Sequence, residues 1–198
     1  MTRLLVLMKN GQEEIEALTM VDLLRRAGAE ALLVSFEQTK KLIGSHQIHF
    51  GADLHYSEMP EEYDAIYLPG GLPGAKTASG DERILQIVRE ADRTGKWIIS
   101  VCAGPRVLEA AGILSGRCIT CYPGAEQDTP SARHREDVVV VDGNLITSRG
   151  PATAMALALE VVRQLMGEEK CAALERELLI PQLRRAWTSE ETPCDRSR

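Results

Sequence analysis

The chain has 198 residues, a formal net charge of −6, 44% hydrophobic residues and 26% charged residues. That length fits one domain with a core large enough to fold without a disulfide or metal staple. The acidic balance argues against a nucleic-acid binder, no apolar run approaches the ~20 residues of a membrane span, and Leu4 to Met8 is too short for a signal peptide, so a cytoplasmic setting is the expectation.

Short apolar strands alternate with amphipathic helices. Leu4 to Met8 is a continuous apolar run, as in a strand buried on both faces. Residues from Glu13 to Ala27 predict a helix stopped by Gly28. Ala17, Met20, Val21 and Leu24 form one stripe, while Ile15 and Leu18 lie off it, so this helix is expected to be covered on two sides. Ala31 to Phe36 predicts the second strand. Residues 37–60 predict a short hairpin or crossover, with His46, His49 and His55 on a solvated hairpin. Ala65 to Leu68 is another buried strand, ending in Pro69-Gly70-Gly71.

Ser79 and Glu82 fit a capping box for the next helix, whose buried face is Ile84, Ile87, Val88 and Ala91. Trp97 to Val101 is a further strand, followed by Cys102-Ala103-Gly104-Pro105. Asp142-Gly143-Asn144 between two apolar runs signals a hairpin. Pro151 suits the first turn of the last long helix, closed by Gly167, and a shorter helix extends to about Leu179. After Pro181 the chain is polar, which predicts one domain over residues 1–180 and a loose tail over 181–198. Strand–helix alternation predicts an α/β protein, a mostly parallel sheet with helices on both faces and a site beyond the strands' carboxyl ends.

Three segments at those ends carry chemistry. Cys102 stands at a sharp strand-to-helix turn, the device that exposes a nucleophile in hydrolase elbows. A helix start favours thiolate, although a buried structural cysteine is an equal reading of the residue alone. Pro69-Gly70-Gly71 offers backbone N–H groups to an oxyanion, or is simply a tight turn. Glu16 lies beyond the reach of a simple macrodipole explanation. If buried, it is held protonated and can shuttle a proton; if solvated, it is an ordinary helix carboxylate. The five cysteines, at 102, 118, 121, 171 and 194, are too few for a disulfide scaffold. Cys118 and Cys121 spell C-x-x-C, but strand alternation turns them to opposite sides and no further ligands complete a zinc site. No metal is therefore expected there.

Together, Gly11-Gln12-Glu13-Glu14-Ile15-Glu16, Pro69-Gly70-Gly71, Val101-Cys102-Ala103-Gly104-Pro105 and Thr147-Ser148-Arg149-Gly150-Pro151 resemble the DJ-1/ThiJ/PfpI superfamily, most of all its DJ-1 and bacterial ThiJ-like branch. The resemblance runs from the first strand to about Leu179. It implies a flavodoxin-like three-layer sandwich with a nucleophile elbow, working as a homodimer through the first helix. It implies that Cys102 is an oxidisable nucleophile, that Glu16 is its protonated partner, and that Gly71 and Ala103 supply the oxyanion pocket beside Gly70. Asp22 and Arg149 match positions that pair structurally, and Arg26 matches a basic position near the partner's site. The resemblance also implies that Pro151 and Tyr122 border the pocket.

Tyr122 stands where many members carry His, so no imidazole base is available there. Ala103 replaces the His that follows the nucleophile in the hydrolase branch, which argues against a peptidase. The Arg of the human-type branch near the second strand pair aligns with His46. The implied function is cofactor-free thiol chemistry on reactive carbonyls, of the glyoxalase or deglycase kind, on a small aldehyde or a glycated protein. The alternative is a redox sensor or stress chaperone acting through Cys102 sulfinate. A third reading, a glutamine amidotransferase with His134-Arg135-Glu136 as H-x-E, fails because that tripeptide lies in a polar loop.

Overall fold

The computed structural model describes residues 1–188. Its centre is a sheet built from β1 (Arg3–Met8), β2 (Glu30–Ser35), β5 (Leu54–His55), β6 (Ala65–Leu68), β7 (Trp97–Val101), β10 (Val139–Asp142) and β11 (Leu145–Ser148). The order across the sheet is β10-β11-β7-β6-β1-β2-β5. All neighbours run parallel except β10 against β11, the hairpin that Asp142-Gly143-Asn144 turns. Two small ribbons stand apart: β3 (Lys41–Ile43) with β4 (His49–Gly51), and β8 (Cys118–Ile119) with β9 (Arg133–His134). The fold class expected from the sequence is the one observed.

Strand side chains alternate faces, so a run buried on both sides feeds two cores. Leu4, Val6 and Met8 join Ala65, Tyr67, Ile99 and Val101 in one core, covered by α1 (Glu14–Arg26), α5 (Ala154–Met166) and α6 (Glu168–Glu177). Leu5 and Leu7 join Ile66, Leu68 and Ile98 in the other, covered by α3 (Glu82–Arg93) and α4 (Pro105–Ala111), with Ala78 of α2 (Leu72–Ala78) at its edge.

Local signals were overridden at four places. Asp81, not Ser79, caps α3: its carboxylate accepts from Arg83 N–H, while Ser79 closes α2. Asp81 also holds Lys9 at 3.0 Å, a tertiary ion pair invisible to spacing. Leu85 is buried to 7% on the inner face of α3, where Ile87 is only partly covered. Within 37–60 the hairpin forms, but His55 lies on β5 at the edge of the main sheet and caps the following 3-10 turn. Beyond Pro181 the chain is not a loose tail as far as Thr188, because α7 (Ile180–Thr188) places Ile180, Leu183 and Trp187 on one helical face. The remainder of the expected tail, and Cys194, lie outside the described residues. Among the described residues no helix is long and apolar enough to cross a membrane.

Candidate active site

The chain leaves β1 toward β2 on one side and returns to β6 on the other, so the crevice at the carboxyl ends of β1 and β6 is a topological switch point. The loops after β1, β6 and β7 meet there. Cys102 follows β7 with φ of 60°, the left-handed region that a residue with a Cβ seldom enters. Its N–H donates to Ser148 O at 3.0 Å and its carbonyl accepts Tyr122 N–H at 3.2 Å, which holds the elbow from both sides. Gly104 completes the turn, because a Cβ there would fall 2.5 Å from Leu68 O and from Ser100 Oγ.

Glu16 enters from the first turn of α1 and is fully buried. Its Oε2 accepts Gly70 N–H at 2.7 Å, and its Oε1 meets no nitrogen or oxygen donor. A Cβ on Gly70 would lie 2.6 Å from Cys102 Cβ, 2.7 Å from Glu16 Oε2 and 3.0 Å from Ala103 N. Glycine at 70 is thus what lets the thiol, the carboxyl and a backbone N–H converge on one point. The loop is clamped to the head of α1 by Gln12, whose Nε2 donates to Pro69 O at 2.8 Å and whose Oε1 accepts Lys9 N–H at 2.6 Å. Glu13 N–H adds a bond to Gly70 O at 3.1 Å.

Burial pushes Glu16 up to about 7; the Gly70 N–H pulls against it, the Glu13 charge adds to it, and a hydrogen bond with Cys102 opposes it. Burial and the Glu16 carboxylate push the Cys102 thiol up to about 12, against the lowering effect of the Gly71 and Ala103 N–H groups. Burial and the Glu16 charge therefore oppose the thiolate that a helix start favours. Desolvation outweighs the short α4, and the two groups titrate as a pair that carries one negative charge between its first and second deprotonation.

The structure brings Cys102, Glu16, Gly70, Gly71 and Ala103 together. Tyr122 is 53% exposed and its ring packs over Gly150, 3.3 Å from where a Cβ would stand, so its backbone, not its phenol, touches the elbow. Pro151 opens the 3-10 turn before α5. Asp22 and Arg149 do not pair within the chain: Asp22 lies one turn before Arg26 on α1 and binds it at 2.8 Å, while Arg149 reaches Thr120 Oγ1 and Arg135 O at 3.4 Å. Arg26 also binds Glu177 of α6.

Gln12 and Glu13 escaped the sequence reading, since a buried polar clamp inside a helix-start motif has no periodic signature. Donor atoms of Glu13, Glu14 and His46 lie within 4.8 Å of one another, the one such group with metal-ligand chemistry among the described residues. Both Glu14 oxygens are already engaged, by His46 N–H, the His46 ring and Ser45 Oγ.

The DJ-1/PfpI family model matches residues 2–164. The chain is 34% identical to Protein DJ-1 homolog B of Arabidopsis thaliana over 90% of its own length, and spans 41% of that longer protein. It is 36% identical to a deglycase of Pyrococcus horikoshii, covering 82% of this chain and 99% of the relative. The solved structure of Drosophila melanogaster DJ-1beta superimposes with a TM-score of 0.87 at 32% identity, over 90% of this chain and 97% of that one.

Proposed function

The chain belongs to the DJ-1/PfpI family, and from that premise we propose that it is a cofactor-free, cysteine-dependent enzyme acting on reactive carbonyls. The observation that carries this reading is the convergence of Cys102, Glu16 and Ala103 N–H over Gly70. The archaeal relative named a deglycase supports the substrate class.

A 2-oxoaldehyde such as methylglyoxal suits the site. The Cys102 sulfur adds to the aldehyde carbon, and the alkoxide that forms takes the single mobile proton of the pair, giving a hemithioacetal. Glu16, now a carboxylate, removes the hydrogen on that carbon and returns it to the neighbouring carbon, while the hydroxyl proton passes to the oxygen of that neighbouring carbon. This yields a thioester, which water hydrolyses to lactate and free thiol. The N–H groups of Gly71 and Ala103, which already act on the sulfur, face the charge that develops on oxygen. Proton transfer of this kind contributes roughly 10²–10⁴-fold. The same addition at the carbon of an early glycation adduct makes the chemistry a deglycation.

The protein works in this reading as a homodimer through α1. Ile15 and Leu18, 57% and 40% exposed, form the second apolar side of that helix. Ile15, with Met155 and Trp187, lines a groove of about 680 Å³ between α1, α5 and α7. A second reading, oxidative sensing, is favoured by one feature. Glu16 Oε1, when protonated, is placed in a dry site to donate a charge-assisted bond to an oxygen on an oxidised Cys102.

Lactate release from methylglyoxal is the deciding assay. Wild type is expected to turn over and Cys102→Ser to fall to background. Turnover retained in Cys102→Ser refutes the enzyme. Peroxide oxidation concentrated on Cys102 in a protein without turnover supports the sensor; oxidation spread over all thiols counts against it.

A further inference from the structure

Glu13, Glu14 and Glu16 put three carboxyls into the start of α1, none more than 5% exposed. Among the described residues, the ion pairs to this cluster come from one side chain, His46, in the turn of the β3–β4 hairpin. Its Nδ1 lies 3.0 Å from Glu14 Oε2 and 3.7 Å from Glu13 Oε1. The turn is seated firmly on the helix. His46 N–H donates to Glu14 Oε1 at 2.7 Å and Ser45 N–H to Gln12 O at 2.9 Å, and a Cβ on Gly44 would fall 2.1 Å from Glu14 Cδ. The imidazole itself is 71% exposed. The carboxyls are shielded from solvent, while the His46 ring that pairs with them stands in it.

We propose that His46 is a positioning residue that sets the charge at the head of α1 and, through Glu13, how tightly Glu16 holds its proton. The inference rests on Glu16 and Cys102 being the reacting pair. Protonated, His46 balances the carboxylates and eases ionisation of Glu16. Neutral, it leaves Glu13 and Glu14 uncompensated, and their repulsion keeps the Glu16 proton in place.

The charged groups acting on His46 are Glu14 and Glu13 of α1; within its own turn the Ser45 hydroxyl touches the ring at 3.0 Å. Glu14 bonding raises the His46 titration above 6.5. Burial works to raise Glu14, but the bonds from His46 and Ser45 bring it down to about 2, so it is an anion throughout. Around Glu16 the titrating neighbours are Glu13, Cys102 and Tyr67; Tyr67, fully buried on β6, stays protonated. Glu13 also accepts Glu16 N–H at 2.8 Å, so the two residues move together.

The test is the rate of Cys102 alkylation by iodoacetamide, followed by mass spectrometry from pH 5 to 9, a readout independent of turnover. Wild type is compared with His46→Gln, His46→Arg and Glu16→Gln. Gln and Arg both keep a donor toward Glu14, and circular dichroism confirms that each variant is folded. Wild type is expected to show an inflection near pH 7 that Glu16→Gln removes. The midpoint should lie higher in His46→Gln and lower in His46→Arg, by roughly 0.3–0.5 pH unit each for a solvent-screened charge, or about two- to threefold in rate near the midpoint. If the three forms of residue 46 share one midpoint while Glu16→Gln still abolishes the inflection, the role of His46 is refuted and the reacting pair stands. If Glu16→Gln leaves the inflection intact, the pair itself is refuted and His46 has nothing to act upon.

Discussion

Replacing Glu16 by Gln should abolish lactate formation and make the protein more stable at pH 8. Glu16 is fully buried, and its carboxyl titrates near 7 instead of 4.5. The folded state therefore holds this proton to a higher pH than the unfolded chain does. The group's contribution to stability is complete below about pH 4.5 and is lost as pH rises through 7. The difference between 4.5 and about 7 corresponds to about 3 kcal/mol. Gln has nearly the same shape, keeps an oxygen for Gly70 N–H, and is neutral at every pH. The assay is urea unfolding by circular dichroism at pH 5 and pH 8, at one protein concentration. Every other titrating group is common to both proteins and cancels, and Cys102 keeps its proton across this window. Glu16→Gln should exceed wild type by up to about 3 kcal/mol at pH 8, with most of that gap closing at pH 5. A gap that does not change with pH would refute the claim that burial, and not shape, sets the cost of this residue.

Gly70→Ala drives a methyl group into Cys102 and Glu16; it should cost roughly 1–3 kcal/mol in urea unfolding and slow alkylation of Cys102 together. Asp81→Ala removes the α3 cap and the partner of Lys9 and Arg83, so thermal melts should show a loss of about 1–2 kcal/mol, while Ser79→Ala stays within about 0.5 kcal/mol. Ile15→Glu with Met155→Glu should convert a dimer to a monomer by light scattering; a dimer of unchanged mass would move the interface away from α1.

Where one interaction decides a local structure, the sequence was a good guide. Leu4 to Met8 and Ala65 to Leu68 could only be strands buried twice, and both are. The glycines at 70 and 71 and the turn at Cys102 were legible because backbone geometry restricts which residues stand there. Residues set by competition between distant groups were not. Asp81 outbids Ser79 as a cap, with Lys9 reaching it from 72 residues away in the sequence. Ile180, Leu183 and Trp187 make a helix out of a stretch whose polar composition suggested a tail. The charge on Cys102 is not legible in the sequence for the same reason. A helix start seen in the sequence favours thiolate, while the desolvation that opposes it depends on what three separate loops cover.

The left-handed backbone at Cys102 carries a consequence for how the thiol is aimed. That conformation costs of order 1–3 kcal/mol, and it is retained by Ser148 O on one flank and Tyr122 N–H on the other. Those anchors belong to segments far apart in the chain, so the direction in which the sulfur faces Glu16 is set by tertiary contacts and not by the residues beside it in sequence.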